Sequence, residues 1–90
     1  MITEHTNGFI MTDETGQKMG EITFSIAGDT RLIIDHTFVD PAFRGQKIGD
    51  QLVNQVVLKA RAEGKKIIPL CPFAKRQFQQ HLEYQDVHQQ

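Results

Sequence analysis

The chain lacks most of what would tie it to a special environment. It has one cysteine, Cys71, so no internal disulfide can form, and a small domain without one suits a reducing compartment. No apolar run approaches the roughly eighteen residues of a membrane span, and Met1-Ile2-Thr3-Glu4-His5 has no basic start leading into a hydrophobic stretch. The expectation is a cytoplasmic protein, neither exported nor anchored. Net charge is nearly absent, at −1, which argues against nucleic acid as the main partner. There is no internal repeat or linker, and His5, His81 and His88 have no metal-ligand spacing with one another. No metal site is expected.

What remains is 90 residues, 39% hydrophobic and 23% charged, which excludes disorder and a coiled coil and predicts one soluble globular domain over residues 1–90. A chain this short buries only about 60% of its unfolded surface, so its stability should be roughly 5–13 kcal/mol. The charge is unevenly spread. Residues 1–43 hold two Lys/Arg against seven Asp/Glu, and residues 44–90 hold eight against four, so the halves are −5 and +4. The basic half suits a small polyanion and the acidic half a cationic substrate.

Residues 8–14 read as a strand running into a turn with Gly16 at its tip. In residues 19–26 Ile22, Phe24 and Ile26 alternate with Glu21, Thr23 and Ser25, a strand with one wet face. After a turn at Ala27-Gly28-Asp29-Thr30, residues 31–39 are apolar on both faces, with Leu32, Ile34 and Phe38 on one and Ile33 and Val39 on the other. Asp40-Pro41 ends that strand. From Gln46 the period changes: Ile48, Leu52, Val56 and Ala60 are spaced by four, with Gly64 as a stop. Ile67–Cys71 reads as a short strand, and Ala74, Phe78 and Leu82 mark a second helix over 73–84, with Pro72 at its first position. The predicted fold is α/β (α+β): a mixed, mostly antiparallel four-stranded sheet with one parallel β-α-β crossover and two helices. The two apolar faces of residues 31–39 place the helices on opposite sides.

Between strand and helix lies Val39-Asp40-Pro41-Ala42-Phe43-Arg44-Gly45-Gln46-Lys47-Ile48-Gly49. A glycine-containing loop that opens a helix turns several N–H groups toward one point, where the helix dipole favours an anion. Arg44 and Lys47 reinforce the sign, and Gly45 and Gly49 leave room for a phosphate to approach. The same residues would also serve an ordinary strand-to-helix turn. Neither the lysine-bearing P-loop nor a dinucleotide fingerprint is present.

Arg44-Gly45-Gln46-Lys47-Ile48-Gly49 resembles the acetyl-CoA pyrophosphate motif of the GNAT superfamily of N-acetyltransferases, with Lys47 in place of its middle glycine. With Ile34-Asp35-His36-Thr37-Phe38-Val39, Gly64 to Pro69, Cys71-Pro72-Phe73-Ala74-Lys75 and His81-Leu82-Glu83-Tyr84, the chain resembles the minimal GNAT-like acetyltransferases over residues 8–87. The resemblance implies a sheet whose strands 31–39 and 67–71 splay apart. A pantetheine arm would lie between them, paired with backbone near Phe38 and Val39, and the pyrophosphate would sit on the N–H groups of Gln46, Lys47, Ile48 and Gly49. It also implies Cys71 beside the CoA sulfur.

Amine acetylation needs a neutral amine and a route for its proton. His36, on the strand expected to touch the pantetheine arm, and Cys71, at a helix start, are the catalytic candidates. Each also has a purely structural reading, as a hydrogen-bonded strand histidine and as a small buried hydrophobe. Lys75 and Arg76 would reach the adenosine 3′-phosphate; Phe73 and Phe78 read as core before adenine platform. The implied activity is an acetyl-CoA-dependent N-acetyltransferase acting on an exposed amine, such as a protein lysine or a polyamine, as a monomer or weak dimer. A CoA-binding module with weak or no catalysis and a plain interaction domain are the competing expectations.

Overall fold

In the computed structural model, which describes residues 1–89, five strands form one sheet in the order β1 (Ile2–His5), β2 (Gly8–Thr12), β3 (Lys18–Ala27), β4 (Arg31–Val39) and β5 (Lys66–Pro69). The first four run antiparallel to their neighbours; β5 runs parallel to β4 and is reached through α1 (Ile48–Glu63). Then come α2 (Pro72–Gln80) and a 3-10 turn over Leu82–Val87. The mixed, mostly antiparallel sheet with one β-α-β crossover is the expected one, but it has five strands, not four. The additional strand, Ile2–His5, is exposed at three of its four positions. Such a segment carries no alternating apolar signal and is held by pairing with β2 from Ile2↔Met11 to His5↔Gly8.

Along α1 the expected spacing delivers Ile48, Leu52, Val53, Val56, Val57 and Ala60 to the interior. They join Ile22, Phe24, Leu32 and Ile34 of the sheet and Ala74 and Phe78 of α2 in a single core. Each fully buried Leu or Val there contributes about 1.5–3 kcal/mol. Both helices therefore share one face of the sheet, which corrects the expectation that they flank it. A β-bulge also changes which residues of β4 meet that covered face. Thr23 pairs with His36 and Phe24 with Ile34, so Asp35 is an extra residue and the alternation of β4 slips by one. Thr37 and Val39 thereby turn inward, level with Ile22 and Gly20, while His36 and Phe38 turn out to the uncovered face. Phe38, expected beside Leu32 and Ile34, is 50% exposed.

The second helix is also shorter than expected. It stops at Gln80, Leu82 is exposed, and Tyr84 packs instead against Phe78, with ring centroids 5.4 Å apart.

Candidate cofactor site at the start of helix α1

Pairing between β4 and β5 runs from Arg31↔Lys66 to Ile34↔Pro69 and ends there. The N–H groups of Leu70 and Cys71 both donate to Ile34 O, at 3.1 and 3.4 Å, so β5 turns away at this point. His36 to Val39 continue along β3 with no strand partner on the other side among the described residues. Because Asp40 N–H donates to Met19 O (2.9 Å), strand alternation directs the backbone groups of Thr37 and Val39 away from β3 and into the gap. The sheet is forked.

After the fork, the Asp40 carboxylate accepts the Ala42 N–H (2.9 Å) and starts a 3-10 turn over Pro41–Phe43. The chain then reverses through Gly45, at φ +87°, and Lys47, at φ +58°, ψ +35°. Lys47 is the only non-glycine among the described residues in the left-handed region, and a lysine there carries about 1–2 kcal/mol of strain. The family motif has glycine at this position; here the same backbone shape is kept with a cationic side chain on it. Among the described residues no side chain caps α1, and the first backbone N–H to reach back to Lys47 O is that of Gln51, at 3.1 Å, with its side-chain amide at 3.3 Å. The N–H groups of Ile48, Gly49 and Asp50 point out of the helix end.

They face a cavity of about 460 Å³ lined by Val39, Arg44, Gly45, Lys47, Ile48, Gly49, Asp50 and Phe73. The fold thus gathers seven of the predicted residues from β4, the loop, α1 and α2. Gly49 permits this closeness, since a Cβ there would lie 2.8 Å from the Phe73 ring. Gln46 lines the adjoining surface with Lys47 and Gln51. Lys75 and Arg76 are exposed on the first turns of α2, and the Arg76 guanidinium lies 5.9 Å from the Phe73 ring centroid. A larger cavity of about 740 Å³ on the other side of the loop is walled by Met1, Met11 and Met19, with Asp13 and Glu14. The Asp13 carboxylate is already occupied by the Thr15 hydroxyl and by the N–H groups of Thr15 and Gln17, which hold its pKa below the ordinary value. The carboxylates of Asp13 and Glu14 make that cavity the less favourable of the two for a phosphate.

The two catalytic candidates are not brought together. His36 stands exposed on the uncovered face beside Thr23. Cys71, 9% exposed, lies at the fork on the helix side, where its Sγ accepts the Ala74 N–H (3.4 Å) as the cap of α2 and lies 3.5 Å from Thr37 Oγ1. Phe78 is core. Sequence reading passed over Thr37 and Asp50. A hydroxyl at an inward strand position is the signal for the first, but the bulge that turns it inward is invisible in the pattern. Asp50 sits where acidic residues commonly offset a helix dipole, which hides its place in the cavity lining. Among the described residues no group of three His, Cys, Asp or Glu is placed to hold a metal ion, and no helix is long and apolar enough to cross a membrane.

The chain is thus an α/β domain with a forked mixed sheet beside an uncapped helix start. Residues 8–87 match the family model described as GCN5-related N-acetyl-transferase, and the chain belongs to that family. It is similar to a GCN5-like protein from Staphylococcus aureus, with 35% identity and a TM-score of 0.81, covering 99% of this chain and 87% of that one. It also resembles a GNAT family N-acetyltransferase from Escherichia coli solved in complex with CoA, at 28% identity and a TM-score of 0.68, covering 81% of this chain and 44% of that one. A Mycobacterium tuberculosis protein solved with CoA shares the fold, at 23% identity and a TM-score of 0.70, covering 83% of this chain and 46% of that one. The chain spans less than half of these two longer proteins. No curated protein matches it.

Proposed function

We propose that residues 1–90 form a single acetyl-CoA-binding domain that transfers the acetyl group to an exposed amine. The observation that carries this reading is that the cavity at the uncapped start of α1 is walled by Val39, which lies on the edge of β4 that β5 leaves unpaired. The CoA complexes of the longer relatives support it. In this reading the pyrophosphate lies on the N–H groups of Ile48, Gly49 and Asp50, with Arg44 and Lys47 adding charge. The pantetheine arm pairs with the free edge of β4 at Val39, below Phe38, and Lys75 and Arg76 take the 3′-phosphate near Phe73.

The acceptor comes from the uncovered face. There His36 takes a proton from the ammonium, the neutral nitrogen attacks the thioester carbon, the C–S bond breaks, and the CoA sulfur leaves as a thiolate that is then protonated on the Cys71 side. A face with no cover admits an amine carried on a larger molecule, which favours a protein lysine or a polyamine over an enclosed metabolite. A second reading, a CoA-binding module with weak catalysis, draws on one observation: His36 and Cys71 lie on opposite sides of the sheet.

CoA at one hundred times its dissociation constant should add about 2.7 kcal/mol, on the order of a 10–20 °C rise in melting temperature for a domain this size. No shift at millimolar ligand would contradict the proposal. Thioester consumption against protein, polyamine and small-amine pools then separates the readings, because binding without turnover selects the second.

A further inference from the structure

The mechanism above leaves unexplained the hydroxyl of Thr37. It occupies an inward position of β4, paired with the fully buried Ile22, where the neighbouring inward residues Leu32, Ile34 and Val39 are all apolar. A hydroxyl so placed needs a partner. Its partner is Cys71 Sγ across the fork, at 3.5 Å. Thr37 is nevertheless only half-buried, because β5 has turned away beside it. One residue pair further along β4, about 7 Å, Val39 lines the cavity at the helix start.

The hydrogens at this pair can be counted. Thr37 and Cys71 own one O–H and one S–H. Ala74 N–H already donates to Sγ, so the cap uses the sulfur only as an acceptor. The contact between Oγ1 and Sγ consumes one of the two hydrogens, whichever atom donates it. The other is left, and the open side of the pair is the gap between the strands.

We propose that Thr37 and Cys71 act as one donor unit that presents a single hydrogen to the sulfur of the cofactor in the fork, with Thr37 able to supply it alone. This rests on the acetyl-CoA reading above. It assigns the stabilisation of the departing thiolate to Thr37 as well as Cys71, and makes the cysteine replaceable by the threonine beside it. When the C–S bond breaks, the electron pair stays on the CoA sulfur and accepts this hydrogen bond; the proton that finally neutralises the thiolate comes from the pair or from solvent behind it.

The test uses the Cys71→Ala chain, in which the only thiol that titrates in the complex is that of CoA. The ultraviolet absorbance of the thiolate is followed against pH for CoA bound to Cys71→Ala, to Cys71→Ala/Thr37→Val and to Cys71→Ala/Thr37→Ser. Bound CoA should form its thiolate at lower pH in the first and third than in the second, and turnover of acetyl-CoA should fall about tenfold from the first to the second, one hydrogen bond's worth, with KM for acetyl-CoA unchanged. Thr37→Val is isosteric, and the three chains are compared at low temperature with saturating CoA, whose binding offsets the stability lost with the α2 cap. CoA bound with identical thiolate titration in all three overturns the donor unit alone. Failure of the unsubstituted chain to bind CoA overturns the acetyl-CoA reading and this proposal with it.

Discussion

The two ends of α1 are built by opposite rules. At its C-terminal end every strong group has a partner. Lys59 Nζ reaches Glu4 of β1 at 2.6 Å and Glu63 at 2.7 Å, and lies 5.8 Å from the Phe24 ring. Arg61 holds Asp86 and the carbonyl of Glu83, and Lys66 donates to Asp86 O, which ties the last turn of the chain to the helix and to β5. At the N-terminal end the reverse holds: no cap, a strained lysine backbone, an unpaired strand edge and a cavity. Polar groups left without partners inside one molecule are the places where a second molecule supplies them. The contrast separates what holds this fold from what the fold is for.

Breaking the satisfied end should cost stability and spare the ligand. Phe78 is buried beside Tyr84 and His88, with ring centroids 5.4 and 5.0 Å away. Phe78→Ala should lose about 3–5 kcal/mol, read as a lower urea midpoint, while CoA affinity at low temperature stays within twofold. A variant that kept its stability and lost CoA would reverse the assignment of the two ends.

The open end should show the opposite trade. Lys47→Gly removes the left-handed strain and should raise stability by about 1 kcal/mol. It also removes a cation from the cavity, so CoA binding should weaken by roughly 1–2 kcal/mol, the scale of a charge-assisted contact. Lys47→Ala should weaken binding equally without the gain in stability. Calorimetric titration and thermal melting on the three chains check both halves; equal CoA affinity in all of them would remove Lys47 from the site.

The smallest effect is in acid. Lys59, then Lys65, hold the Glu63 carboxyl below its ordinary range. A carboxyl depressed in the folded state stabilises above its unfolded pKa, and that stabilisation is lost as pH falls through the folded one. The pair is largely solvent-screened, so about 0.3–0.5 kcal/mol is at stake. Glu63→Gln should flatten the acid limb of the stability curve by that amount and leave CoA binding unchanged.

The same contrast marks what could be read in the sequence. The core spacing of α1, the hairpins, the crossover strand and the anion-ready loop were legible because each is a local pattern of apolar period or glycine placement. The exposed edge strand Ile2–His5 was not, since it is held by pairing rather than by burying side chains. The bulge at Asp35 was not legible either, and from it followed the wrong face for Phe38 and Val39 and the silence about Thr37. Seven of the residues singled out line the cavity, whereas Phe38, Gln46, Cys71, Lys75 and Arg76 lie outside its lining, and the separation of His36 from Cys71 depends on that one inserted residue.

The central claim is that the free donors at the start of α1 and along the fork of β4 receive acetyl-CoA. The most direct test is a CoA titration followed by amide resonances across the chain. Large shifts are expected for Thr37, Val39, Ile48, Gly49 and Asp50, and none for Lys59 to Glu63 or for residues 82–87. Shifts confined to the closed end of α1, or none anywhere at saturating CoA, would contradict it.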